Sequence, residues 1–241
     1  SADIPFMLTA LLGVFITICT YAAIGLFMST ITKYQVVAAI GTLAILAVLN
    51  FIGNVGQEID FVRDLTYWLS ISGRSKIFLE GMICSRDIIY FLLVIFMFLA
   101  FAFIKLQGER LKSSMLKTVG SYLIVFAFIL IGGYISSRPV LIVYYDTTAT
   151  KLNTLTENSQ EIVKKIDGEL TLTTYVNLLD DTWYHASPSS KNYDMERFER
   201  YVRFKPDMKI KYVYYYGPGT SSHYDKIIPQ ICLFQQKMCK K

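Results

Sequence analysis

Residues 88–135 read IIYFLLVIFMFLAFAFI, then KLQGERLKSSMLKT, then VGSYLIVFAFILIGGYI. The first block, Ile88–Ile104, has no charge, and neither does the third, Val119–Ile135. Each run is about 17 residues, roughly the shortest helix that crosses a bilayer core. The middle block carries Lys105, Arg110, Lys112 and Lys117 against one acid, Glu109. A short Lys/Arg-rich loop between two spans stays in the cytoplasm. These four basic residues are therefore the topology signal, and they orient the rest of the chain.

Two more charge-free stretches lie upstream, Ile4–Thr32 and Tyr34–Gln57. A large soluble protein with buried helices would show shorter runs with a polar stripe. The pattern predicts four transmembrane helices at about Phe6–Met28, Val36–Ile52, Ile88–Ile104 and Val119–Ile135. Gly13, Ala22, Ala23 and Gly25 in the first span fit close helix–helix approach, or else the ordinary Gly and Ala content of membrane helices. By alternation the Lys33 turn is inside, and Gly53–Asp87 and everything from Ser136 onward are outside.

Charged residues make up only 18% of the 241 positions, the net charge is +5 and mean hydropathy is +0.39. A soluble domain holds about 25% charged residues. The shortfall falls on residues 1–135, and residues 136–241 read as ordinary. No Lys/Arg block is dense enough to track phosphates, so nucleic acid is not an expected partner.

Between the second and third spans, Ile59–Leu69 has helical spacing, with Phe61, Leu65, Trp68 and Leu69 on one face. Tyr67 and Trp68 suit a membrane–water interface and are the candidate interface anchors. A second short helix starts at Ile77 and stops near Gly81. Two helices at the bilayer surface are expected, with a loop packed on the spans as the alternative.

Beyond Arg138 the pattern changes. Pro139–Val143 reads as a strand or a lead from the membrane. Thr154–Glu157 fits a capping box opening a helix to about Ile166. Leu170–Leu178 alternates as a half-buried strand. Tyr193–Phe204 follows as a helix and Met208–Tyr216 as a strand, with a turn at Gly217-Pro218-Gly219. Helix–strand–helix–strand predicts an α/β domain with a parallel sheet. The expected fold class is thus membrane all-α with four transmembrane helices, then a partial extracytoplasmic α/β domain. The expected division is 1–104, 105–117, 118–137 and 138–241: spans, basic connector, anchor and outer domain. The chain reads as a fragment of something longer.

Catalytic signals are sparse. There is no P-loop, no H-E-x-x-H and no G-x-S-x-G. His185 and His223 sit in separate polar loops. Asp180-Asp181 reads as a cation site or, more simply, a solvated pair. Asp146 falls at a strand end, where α/β domains place sites. Cys19 reads as a small buried residue. No cysteine pair has zinc spacing, and Cys232 and Cys239 fit a disulfide only if their segment is outside the cytoplasm. The charge-free runs offer no proton relay, which disfavours an ion-coupled carrier.

Ala23–Ala38 (AIGLFMSTITKYQVVA) resembles the GLF-S-LT-NQ signature of type-2 ABC export permeases. Asp64–Ser70 (DLTYWLS) and Phe78–Phe91 (FLEGMICSRDIIYF) look like the outer-loop helices and last span of that family, nearest the gliding-motility permease of Bacteroidetes-type bacteria. Asp146–Gln160 and Leu170–Leu178 are similar to the start of the gliding-motility auxiliary subunit. The resemblance implies the last three spans of a permease half fused to an auxiliary part in the bacterial inner membrane, its C-terminal domain in the periplasm. It implies an ABC ATPase subunit as partner, where ATP binds, and a second permease half or a homodimer. It gives this chain no cofactor and no enzymatic activity of its own. The competing reading is a membrane-anchored binding or scaffold module without transport; a membrane enzyme is a third.

Overall fold

The computed structural model describes residues 3–111, 114–138, 141–166, 168–180 and 183–217. They divide into two compact units, Ser1–Gly53 with Trp68–Thr154, and Asn54–Tyr67 with Leu155–Lys241.

The first unit is mostly helical. Four of its helices are long and apolar enough to cross a membrane: α1 (Ile4–Ile31), α2 (Gln35–Phe51), α5 (Ser85–Leu111) and α6 (Met115–Ser136). α1 packs on α2, on α5 and on the short helix α4 (Ser72–Leu79), and α5 packs on α6. The outward faces stay apolar: Leu11, Phe15, Leu43, Phe103 and Ile124 are each more than 60% exposed. A water-soluble surface rarely carries apolar patches on that scale, whereas hydrocarbon accepts them.

The core follows the 3–4 spacing of one helix face. On α1 the buried residues are Thr9, Gly13, Ile16, Thr20, Ala23 and Ile24. On α5 they are Asp87, Tyr90, Phe91, Val94, Phe98 and Ala102. Gly13 lies where Phe78 of α4 meets α1: a Cβ there would stand 2.3 Å from the Phe78 Cβ. Gly13 and Ala23 thus serve close packing, while Ala22 faces outward. Threonine hydroxyls in the spans donate back along their own helix, Thr17 to Gly13 O and Thr20 to Ile16 O. A backbone carbonyl is the partner a hydroxyl can find where water is absent.

α5 and α6 overrun their charge-free runs, whereas α1 and α2 end inside theirs. α5 starts three residues before Ile88 and ends seven after Ile104, so Lys105, Glu109 and Arg110 lie on helix rather than in a loop. Lys117 is in the first turns of α6. Lys112 lies outside the described residues. The α1–α2 turn shares a cleft with Leu106 and Glu109, which puts Lys33 at the basic end of the bundle.

The opposite end is built from residues 68–87 and 141–154 of the same unit. Two short helices occupy the expected loop, α3 (Asp60–Leu69) and α4. Gly81, at φ +82°, turns the chain after α4 into β1 (Met82–Cys84). A side chain is strained in that left-handed region. β1 pairs antiparallel with β2 (Tyr144–Asp146), Met82 opposite Asp146. Of the Pro139–Val143 segment, expected as a strand or a lead from the membrane, Pro139 and Val140 lie outside the described residues, and a strand forms just after it. These pairings join residues 138–154 to the spans, where the sequence pattern put a boundary at 137–138.

The second unit runs α7 (Glu157–Lys165), β3 (Thr171–Asn177), α8 (Lys191–Val202) and β4 (Lys209–Tyr215). β3 and β4 pair in parallel, Thr171 opposite Lys209 through Asn177 opposite Tyr215. A parallel pair needs a crossover, which α8 supplies. Residues 54–67 belong here: Gln57, 4% exposed, accepts the Asn192 N–H through Oε1 at 3.0 Å. The expected capping box is not made. Thr156 is the N-cap of α7 without a side-chain cap bond, and the Thr154 hydroxyl is spent on Asp146.

Candidate functional site

Asp87 stands in the first turn of α5, where a helix N-terminus favours an acid. It is fully buried. Arg74 of α4 donates to it through Nη1 at 2.5 Å, and Arg74 is itself 3% exposed. The guanidinium also donates to Trp68 O at 3.3 Å and lies over the Tyr90 ring, 4.3 Å from its centroid. The Tyr90 hydroxyl donates to Leu69 O at 2.6 Å. Asp87 Oδ2 and Arg74 Nε are buried with no hydrogen-bond partner among the described residues. A buried ion pair ties its two elements together, because leaving either charge alone is costly.

This cluster closes one end of an apolar cleft of about 310 Å³. Ala44, Val48, Val94, Met97, Phe126 and Leu130 are among its walls, and Trp68 and Tyr90 line the end toward the ion pair. α2 lends Ala44, Ile45, Val48 and Leu49 to the cleft, and α5 lends Val94, Met97 and Phe98. The cleft can hold an apolar group; the ion pair beside it fixes the ends of α4 and α5.

Of the expected interface anchors, Trp68 is half-buried. Its ring meets Tyr90 edge-on at 5.7 Å and presses on Gly133 of α6. Tyr67 is half-buried as well. Among the topology residues, Lys105 pairs with Glu109 at 3.1 Å, and Arg110 and Lys117 are exposed.

Asp146 is 6% exposed and makes a structural knot. Its Oδ1 accepts Thr148 N and Thr148 Oγ1 at 2.9 and 2.7 Å, and its Oδ2 accepts Asn153 N and Thr154 Oγ1 at 3.0 and 2.9 Å. Burial pushes this carboxyl up, but the bonds from Thr148, Thr154 and Asn153 outweigh it and hold the acid below its ordinary value. Cys84 lies in β1, and burial, helped by the Asp87 charge, pushes its thiol up to about 11.

In the second unit, Lys191 is 8% exposed and reaches Glu58 O and Asp60 Oδ1 at 3.4 and 3.5 Å. Tyr212 donates to the buried Asp194 at 3.0 Å, and burial with that neighbouring charge raises its phenol. His185 stacks on Tyr193 and lies tilted against Tyr184. Among the described residues, no acid or nucleophile is arranged on it. His223, Asp181, Cys232 and Cys239 lie outside the described residues. Among the described residues, no three His, Cys, Asp or Glu side chains gather as a metal would require.

The charge-free-run reading missed Arg74 and Asp87. The available signal was Asp87 one residue before the run at Ile88, in a position that any helix starting a turn earlier would capture. Comparison with protein-family models, curated proteins and solved structures finds no match to this chain.

Proposed function

We propose that this chain is the membrane-spanning permease component of an ATP-driven ABC export system, fused to an extracytoplasmic α/β auxiliary domain. In this reading α1, α2 and α5 are the last three spans of a permease half and α6 is the anchor of the auxiliary part. ATP is hydrolysed on a separate subunit, and a second half or a second copy completes the path. The link to gliding motility or cell-surface export rests on the resemblance of Asp146–Gln160 and Leu170–Leu178 alone.

One observation carries the reading. The four long helices form a bundle whose charges sort to its ends: Lys33, Lys105, Arg110 and Lys117 lie at one, Arg74 and Asp87 at the other, and the middle of every span is uncharged. A bundle without a mid-membrane acid or histidine has no proton relay to drive transport. Its energy comes from a partner that biases two conformations. The apolar cleft beside Trp68 is a place where such a bundle can change its packing.

Affinity capture of the tagged full chain from its native membrane tests the proposal. Recovery of an ABC ATPase subunit in stoichiometric amount is the expected result. Recovery of cell-surface proteins without any ATPase would favour the scaffold reading instead.

A further inference from the structure

We infer that the cleft beneath the Lys33 turn binds the headgroup of an anionic phospholipid. This inference concerns the bundle end itself and stands whether or not the chain transports anything.

The cleft has a volume of about 960 Å³ and opens where α1 passes into α2. Lys33 is its one cationic lining residue, and Ser29, Gln35 and Thr42 supply polar groups. Ala38 and Leu106 give it an apolar wall. A phosphate on a glycerol backbone needs that combination: charge and donors on one side, hydrocarbon on the other.

The cation is available. Lys33 is exposed and makes no ion pair among the described residues. Glu109 also lines the cleft, but its carboxylate is engaged by Lys105 at 3.1 Å. The first turn of α2 has no acid and no side-chain cap, so its free N–H groups add positive potential beside Lys33. The Ser29 hydroxyl and the Gln35 amide make no hydrogen bond among the described residues, whereas the Thr42 hydroxyl already donates to Ala38 O at 2.8 Å.

Charge complementarity selects the occupant. Lys105, Arg110 and Lys117 surround the same end of the bundle with Glu109 as their one acid on these helix ends. Spans this long place that end at headgroup depth. Basic pockets between spans on the cytoplasmic side hold anionic headgroups, and each Lys or Arg near an anionic surface contributes roughly a fivefold gain in binding. A free phosphate ion shares the charge but has no use for the wall formed by Ala38 and Leu106.

The test is a titration of the detergent-solubilised full chain with fluorescent phosphatidylglycerol and, separately, fluorescent phosphatidylcholine, read by anisotropy. Phosphatidylglycerol should bind several-fold more tightly. Lys33→Gln should cut that affinity about fivefold, Lys33→Arg should restore most of it, and Glu109→Gln should raise it. Unchanged helical circular dichroism will show that the variants keep their fold. Equal affinity for both lipids would overturn the proposal. So would an unchanged affinity in Lys33→Gln, which would take the headgroup away from this cleft. Displacement of the bound lipid by millimolar inorganic phosphate would overturn the lipid assignment in favour of a simple anion site.

Discussion

The Arg74 guanidinium and the Asp87 carboxylate meet with both side chains excluded from solvent, 4% and 0% exposed. One comes from a short helix between spans, the other from the first turn of a long one. Removing one partner leaves the other buried and uncompensated, at a cost of about 3–5 kcal/mol. Arg74→Ala and Asp87→Ala should therefore each lower the unfolding midpoint of the detergent-solubilised chain strongly. The pair replaced together by apolar residues, Arg74→Met with Asp87→Leu, should recover most of the loss. A double variant as unstable as the sum of the singles would show that the two residues do not act as a pair.

Gly13 and Gly120 offer a matched comparison on two apolar helices. A methyl group at Gly13 would meet the Phe78 Cβ at 2.3 Å, and at Gly120 it would meet nothing within 4 Å. Gly13→Ala should destabilise the bundle by about 1–3 kcal/mol, as overpacking does. Gly120→Ala should be neutral or slightly stabilising, since alanine favours helix over glycine. Thermal unfolding of the two variants under the same conditions separates them.

The Asp146 knot makes a pH prediction. Its folded-state carboxyl is held below the ordinary value, so its ionised form is favoured by folding. That stabilisation is fully present above the unfolded carboxyl value of about 3.9 and is lost as pH falls through the lower folded value. Asp146→Asn should cost about 1–3 kcal/mol at neutral pH. The gap between variant and wild type should narrow as pH is taken well below 4. A gap that stays constant with pH would remove the charge from the explanation.

Cys84 should be inert in the folded chain. It is 1% exposed and its thiol is pushed up to about 11, so little thiolate forms near neutral pH. Iodoacetamide at pH 8 should leave the Cys84 peptide unmodified by mass spectrometry, and denaturant should make it react fully. Rapid labelling of Cys84 without denaturant would mean that the β1–β2 end of the bundle opens readily.

The four long helices were legible because an uninterrupted apolar run of sufficient length is a strong signal, and each helix overlaps its expected span. Their ends were less legible. Nothing in the run Ile88–Ile104 tells how far a helix continues into charged sequence, and α5 continues to Leu111 by pairing Lys105 with Glu109. The alternation of Leu170–Leu178 and the helical spacing after Tyr193 marked β3 and α8 closely. Thr154–Glu157 had the right residues for a capping box, but tertiary structure drew Thr154 to Asp146. The Arg74–Asp87 pair was hidden because its members are 13 positions apart in a mixed-charge stretch. Only the fold of α4 against α5 brings them together. Trp68 reads as an interface anchor by residue type; its contacts with Tyr90 and Gly133 could not be read from the sequence.

The sidedness of the bundle tests the account most directly. Single cysteines introduced as Lys117→Cys and Ser189→Cys would be exposed to a membrane-impermeant maleimide in intact spheroplasts, with the labelled peptides read by mass spectrometry. The account predicts that position 189 is modified at once and position 117 only after the membrane is permeabilised. Modification of position 117 with protection of position 189 would invert the topology and remove the export proposal with it.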